Sequence, residues 1–388
     1  MFGGERAVKN SVRWGMVGGG KGSNIGAIHR SAALRDLNFE LLAGAFDINP
    51  ERGKEFGIEI GIAEERCYPD YGTLFAEEIK RPDGIQAVTI ATPNATHYTI
   101  TKAALEAGLH VVCEKPMCFT VEEADELVRI ADEKGLIIGV TYGYAGHQLI
   151  DEARRLVAEG ALGEIRILNA KFSHGGNSTA VEKEVPSQAW RLDPKKAGPS
   201  FVLGDLGTHA YYLLETIVPN VKAEKVLCFM QYFVEDRVLE DNAQVLIQYD
   251  TGAVGNLWIS AVNAGQTHGL GFRIVGEKAS IEWAADAPNY LKFEENGKPF
   301  QIYERGGSYI HEEAKFMDRV AGGHAEGLFE SWSNIYRQFA IVMELASEGK
   351  YEETKNIWYP NAKEGREGVN FVDKAVASGK AGATWVTL

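Results

Sequence analysis

Lys115 closes an apolar run, His110-Val-Val-Cys113, and stands between Glu114 and Pro116. The run reads as a buried parallel strand. The lysine then falls at a strand's carboxyl end, where open α/β sheets build their ligand crevice. The proline after it stiffens the turn. Farther on, Gly204-Asp205-Leu-Gly-Thr-His209 sets a carboxylate and an imidazole four residues apart, a spacing that turns both to one helix face. Lysine, aspartate and histidine are groups that hold, pass and tune a proton. Around a nicotinamide they could move a proton while the cofactor moves a hydride. Plainer roles compete residue by residue: a solvated lysine, an aspartate helix cap, a satisfied core histidine.

A glycine cluster, Gly18-Gly19-Gly20-Lys-Gly22-Ser23-Asn24-Ile25-Gly26, follows a strand and opens a helix. Glycines there permit a tight turn and close approach of backbone to a pyrophosphate, which the helix N-terminus favours. Gly18, Gly20, Gly22, Ser23, Asn24 and Ile25 are therefore candidate cofactor contacts. The pattern Gly18-x-Gly20 is intact, but the last glycine of G-x-G-x-x-G comes three residues late, at Gly26. Asp47 ends the second strand 21 residues after Gly26, where a ribose-binding acid belongs; its competing role is a cap before Asn49-Pro50. An acid there favours NAD by repelling a 2′-phosphate, while nearby Arg52 leaves NADP open.

Thr92-Pro93-Asn94-Ala-Thr-His97 follows another strand and reads either as a capped turn or as a loop passing under the nicotinamide and its ribose. Thr92, Pro93, Asn94 and His97 join the candidate cofactor set, with Glu114 and Lys115. Tyr142, Tyr144, His147, Trp190 and Arg191 are candidate substrate contacts beside Lys115, Asp205 and His209. Aromatic faces and an arginine fork suit a polyhydroxylated ring, and core packing explains the aromatics equally well. No cysteine–histidine cluster and no H-x-x-x-H or H-x-H pair occurs, so no metal site is expected. Hydrolysis by a serine triad lacks its G-x-S-x-G elbow.

These residues need a frame. Strands are expected at Val12–Val17, Phe39–Phe46, Ala87–Ala91, His110–Cys113 and Leu136–Thr141, with helices at Ala27–Leu34, Tyr71–Lys80, Thr96–Ala107 and Val121–Lys134. That alternation means βαβ units and a parallel sheet. After a helix at Ile150–Glu159, strand signals dominate: Ile165–Phe172, Lys225–Val234, Ala243–Tyr249, Gly255–Val262, Phe272–Val275 and Ser280–Trp283. Strands without intervening helices imply a mainly antiparallel sheet. Helices carrying Trp190 and Arg191 and starting near Asp205, a long helix at Glu326–Glu348 and a terminal strand at Ala383–Leu388 complete the reading. The change of period divides the chain into a dinucleotide-binding domain, 1–145, and a substrate-binding and oligomerisation domain, 146–388, whose tail can pack back on the first.

The 388 residues suffice for two such domains. A net charge of −14 argues against nucleic acid and anionic membrane partners. Cys67, Cys113, Cys118 and Cys228 form no CxxC pair, and are expected as buried free thiols in a reducing, cytoplasmic setting. The N-terminus lacks an apolar leader, and no apolar stretch approaches the length of a membrane span.

Together, Glu114-Lys115-Pro116 and Asp205-x-Gly207-x-His209 after a Rossmann unit, with Leu162-Gly163-Glu-Ile, resemble the glucose–fructose oxidoreductase, inositol dehydrogenase and rhizopine-catabolism family, Gfo/Idh/MocA. The resemblance implies a Rossmann doubly wound parallel sheet followed by an α+β domain with a large open sheet, whose face makes dimers or tetramers. It implies NAD(P)-dependent oxidation or reduction of a hydroxyl carbon of a sugar, inositol or related polyol. His209 would be the acid/base, with Lys115 and Asp205 organising it. Two rivals stay open: glycoside cleavage through transient oxidation with no net redox change, and a non-catalytic NAD(H) sensor.

Overall fold

The computed structural model describes residues 5–181 and 189–388. Its first half runs β1 (Val12–Gly18), α1 (Asn24–Arg35), β2 (Phe39–Ala45), α2 (Pro50–Glu59), α3 (Tyr71–Glu78), β3 (Ala87–Ala91), α4 (His97–Glu106), β4 (His110–Cys113), α5 (Val121–Lys134) and β5 (Ile138–Val140). There follow α6 (Gln148–Ala158), β6 (Ile165–Ser173), α7 (Pro194–Ala197), α8 (Thr208–Ile217), β7 (Ala223–Gln231), β8 (Asn242–Tyr249) and β9 (Val254–Ser260). The chain ends with β10 (Gly271–Gly276), β11 (Ala279–Ala284), β12 (Tyr290–Glu295), β13 (Gln301–Glu304), α9 (Leu328–Ser347), α10 (Ala362–Lys380) and β14 (Val386–Thr387). Two compact units result: residues 2–143 with 328–366, and residues 144–327 with 367–388. The chain therefore leaves the first unit after residue 143 and returns to it over 328–366.

In the first unit a parallel sheet takes the order β2-β1-β3-β4-β5. Every residue of β3 and β4 is buried, as in strands covered on both faces. The chain steps from β1 to β2 on one side and to β3 on the other, so the switch point lies between β1 and β3. The loops after those two strands, Gly18–Ser23 and Thr92–Thr96, share that end of the sheet. α5 shows how locally consistent the sequence is. Thr120 and Glu123 form a capping box, and Gly135 ends the helix at φ +63°. α9 packs on α1 and β1, and its Tyr336 meets Trp14 and Phe39 edge-on. Burying rings and aliphatic chains of this kind stabilises by roughly 1.5–3 kcal/mol each.

In the second unit a nine-stranded sheet takes the order β13-β12-β11-β10-β6-β9-β8-β7-β14. β6 and β9 are parallel and all other pairs antiparallel. α8 covers β6 and β10 on one face, and α6 covers β12. The strands β12 and β13 and the helices α2 and α10 were not expected from the sequence. The turn entering α8 also departs from expectation: Leu203–Gly207 is π-helical, so Asp205 sits inside a widened turn and is not the cap of α8.

Candidate functional site

The glycine loop owes its path to residues without a Cβ. Gly18, Gly19 and Gly22 have φ of +75°, +68° and +81°. A Cβ on Gly20 would lie 2.5 Å from the Phe46 carbonyl, and one on Gly26 only 2.2 Å from the Gly19 carbonyl. Gly26 thus does the third glycine's task of close helix packing despite its late position. Ser23 caps α1 by accepting from the Gly26 N–H at 3.1 Å, leaving the exposed Gly22 and Asn24 and the half-buried Ile25 at the helix N-terminus. This cradle fits a dinucleotide pyrophosphate.

Asp47 follows β2 at the same sheet end. Its carboxylate accepts from Arg52 Nε and Nη2, both at 2.7 Å, and from the Asn49 N–H at 2.9 Å. The Arg52 hydrogen bond is the main force holding the Asp47 carboxyl below its ordinary range. The cap of α2 is Asn49, which accepts from the Arg52 N–H, so Asp47 is not used as a cap. In the next loop the Thr96 hydroxyl donates to Thr92 Oγ1 at 2.7 Å, and Pro93 and Asn94 open a short 3₁₀ turn. His97 behaves differently from a cofactor contact. Its ring is wholly buried, with Nδ1 2.8 Å from the Pro116 carbonyl and Nε2 2.8 Å from the Thr92 carbonyl. Burial lowers its pKa. His97 braces the Thr92 loop against the Lys115-Pro116 turn.

Lys115 is half-buried at the end of β4, and its backbone N–H donates to Glu114 Oε2 at 3.1 Å. Glu114 Oε1 accepts from the Thr141 hydroxyl at 2.6 Å and from His29 Nε2 at 3.0 Å. Burial pushes the Glu114 carboxyl up, but the His29 hydrogen bond and charge, the Lys115 charge and the Thr141 hydroxyl bring it down to about 2. An ionised Glu114 can only accept, which fixes the His29 proton on Nε2. His29 Nδ1 then faces the Tyr336 hydroxyl at 2.7 Å, which meets Thr89 Oγ1 at 2.9 Å, which accepts from Trp14 Nε1 at 3.0 Å. Tyr142, also in this unit, is buried just after β5.

An open cleft of about 890 Å³ also marks this unit, lined by residues including Arg30, Leu34, Leu37, Phe39, Ile60 and Ile62. It lies at the amino end of β2, away from the strand ends that bind ligands in such sheets.

The second unit holds Tyr144, His147, Trp190, Arg191, Asp205 and His209. Trp190 and Arg191 fall on a short helical turn, Ala189–Leu192, and the Arg191 side chain lies outside the described part. Asp205 is half-buried, and its N–H donates to Phe201 O at 2.9 Å. The start of this turn is pinned by buried Glu240, which accepts from the Ser200 hydroxyl and from the Leu203 N–H at 3.1 Å. His209, 6% exposed, stands edge-on to Tyr144 with centroids 5.0 Å apart, and 6.1 Å from Phe172. His268 completes the group. It packs 4.8 Å from Phe172, and its Nε2 lies 3.0 Å from the Tyr144 hydroxyl. Burial first, then the charge of His174, lowers its pKa. His147 is separate, tilted 5.4 Å from Trp283. Phe172, His268 and Glu240 escaped the sequence reading because no linear spacing announces them; the register of β6 with β10 brings Phe172 beside the loop of His268, and the approach to β8 carries Glu240 to Ser200.

Residues 12–142 match the family model described as an oxidoreductase family, NAD-binding Rossmann fold, GFO_IDH_MocA. Residues 154–388 match that family's C-terminal alpha/beta domain. The chain is similar to the crystal structure of an inositol dehydrogenase homolog complexed with NAD+ from Azotobacter vinelandii, with 52% identity, TM-score 0.98 and full coverage of both chains. The complex of such a homolog with NADH and myo-inositol, from the same organism, gives 51% identity and TM-score 0.95, again over both whole chains. An uncharacterised oxidoreductase of Bacillus subtilis is 49% identical over 100% of this chain and 99% of its own length.

Proposed function

Because the chain belongs to the Gfo/Idh/MocA family of NAD-binding oxidoreductases, we propose that its reaction is the reversible oxidation of a ring hydroxyl on a neutral cyclic polyol of the inositol class. The observation that carries this reading is the setting of His209. An acid/base imidazole stands among Tyr144, Phe172 and His268, rings that pack on C–H faces and a hydroxyl and an imidazole that bond to hydroxyls. The relatives solved with NAD+ and with NADH and myo-inositol support the same class.

NAD, when bound, supplies the hydride acceptor and donor. The Gly18–Ile25 loop and the N-terminus of α1 would hold its pyrophosphate, and Asp47 the adenosine ribose. Thr92, Pro93 and Asn94 would line the nicotinamide side. His209 takes the hydroxyl proton as general base, and Asp205 orients or tunes it. The Lys115 ammonium stabilises the developing alkoxide charge.

The test is absorbance at about 340 nm with NAD and a panel of myo- and scyllo-inositol, neutral sugars, sugar phosphates and aryl glycosides. NADH formation is expected with the inositols and not with the phosphates. Turnover confined to sugar phosphates would sink the reading. So would aglycone release without net NADH, the mark of a transient-oxidation glycosidase.

A further inference from the structure

The first unit contains a chain of hydrogen bonds that no substrate or cofactor role accounts for. Trp14, Thr89, Tyr336, His29 and Glu114 come from β1, β3, α9, α1 and the end of β4, and are buried at 0, 0, 1, 0 and 7% exposure. The groups form one continuous run. Glu114 accepts from His29 Nε2, and His29 Nδ1 lies 2.7 Å from the Tyr336 hydroxyl. That hydroxyl lies 2.9 Å from Thr89 Oγ1, which accepts from the Trp14 indole. Such a run strengthens each bond in turn, and burial removes competing water. At its end, Glu114 grips its neighbour's backbone through the Lys115 N–H, while Thr141 closes the other side.

We propose that Glu114, held by His29 and Tyr336, is the positioning residue that fixes the Lys115 backbone, so that the Lys115 ammonium is presented to the substrate oxygen in one place. This rests on the role given to Lys115 above. The chain also ties Lys115 to α1, the helix whose N-terminus follows the glycine loop. Glutamine keeps the shape but removes the charge and one of the two acceptor oxygens that His29, Thr141 and the Lys115 N–H share.

The experiment compares Glu114→Gln, Tyr336→Phe and Lys115→Met, singly and combined, in the full-length protein. The assays are hydrogen exchange of the Lys115 amide without cofactor, NAD affinity by fluorescence, and kcat and KM with NAD and myo-inositol. Glu114→Gln should speed Lys115 amide exchange at least 10-fold and lower kcat about 10- to 100-fold, the scale of a lost charge-assisted contact to a catalytic group. KM and NAD affinity should stay within about two-fold. Tyr336→Phe keeps the ring and makes no contact with Lys115, so it guards against simple misfolding. It should still speed that amide's exchange, by a smaller factor. In Lys115→Met, adding Glu114→Gln should lower kcat no further. If exchange and kcat in Glu114→Gln match the unmodified protein while Lys115→Met is crippled, the positioning role is overturned and the catalytic role stands. If Lys115→Met itself turns over normally, the catalytic role falls and the proposal with it.

Discussion

The Tyr144 hydroxyl lies 3.0 Å from His268 Nε2, and the same ring stands edge-on to His209. One side chain thus links the candidate acid/base to a second imidazole from a distant loop. Tyr144→Phe keeps both ring contacts and removes only the hydroxyl. KM for the polyol should rise about 5- to 20-fold with a smaller change in kcat, the signature of a lost ground-state hydrogen bond. An unchanged KM would remove Tyr144 and His268 from the substrate site.

His209→Ala should lower turnover by about 10²–10⁴-fold, the usual scale for a general acid or base. NAD affinity, measured by fluorescence titration, should barely move. Oxidation should lose its rise with pH on the limb set by this base. Near-full turnover with an intact pH profile would give the role to another group, with Lys115 next.

Asp47 is expected to set the cofactor preference. NAD should bind more tightly than NADP, and Asp47→Ser, which also frees Arg52 from its double hydrogen bond, should narrow or reverse the preference. Equal dissociation constants for the two cofactors in the unmodified protein would refute this.

The exposed face of the large sheet carries Ile167 and Val254 side by side in register, with Leu246 and Phe229 farther along on the next strands, among Asn169, Asn256 and Gln244. The four apolar side chains are 39, 48, 46 and 53% exposed. Large apolar side chains exposed on a sheet face suit an interface with a polar surround, and a symmetric dimer or dimer of dimers is expected. Light scattering showing a 42.5 kDa monomer at micromolar concentration would count against it. Ile167→Glu should dissociate the assembly.

His110 makes stability depend on acid. Its Nδ1 accepts from the Ile137 N–H at 3.0 Å, and Nε2 faces Ser347 Oγ at 3.2 Å, so the folded ring is held neutral. Burial pushes its pKa from 6.5 down to about 4. Above pH 6.5 neither state protonates it, and its contribution is complete. As the pH falls from there toward 4 the unfolded chain binds a proton that the folded chain refuses, at a cost approaching about 3 kcal/mol. Urea unfolding at pH 7 and pH 4.5 should show this loss, and His110→Asn should reduce it. An identical pH slope in the variant would acquit His110.

The strands of the first sheet were legible because β1, β3 and β4 are short apolar runs bounded by turn residues. The glycine loop was legible through Gly18 and Gly20, and Gly26 looked anomalous only because spacing in a line cannot show that its missing Cβ faces Gly19. α10 was missed since Ala362–Lys380 contains three glycines and scattered charges, poor helix material by propensity. Packing holds it instead: Phe371 stacks on Tyr211 with centroids 4.3 Å apart. The π turn at Leu203–Gly207 has no sequence signature in the residues around it. Nor could spacing join His29 to Glu114, 85 positions away, or to Tyr336, 307 away.

The return of α9 to the first unit has a consequence for how the protein is made. A ribosome finishes β1 to β5 early, yet Trp14, Phe39 and His29 must wait for Tyr336, and the Gly139 edge of the sheet for Asn361. Residues 144–327 emerge in between. The nucleotide-binding half is therefore born with an open seam, and a nascent chain arrested near residue 145, lacking residues 328–366, should be degraded or held by chaperones.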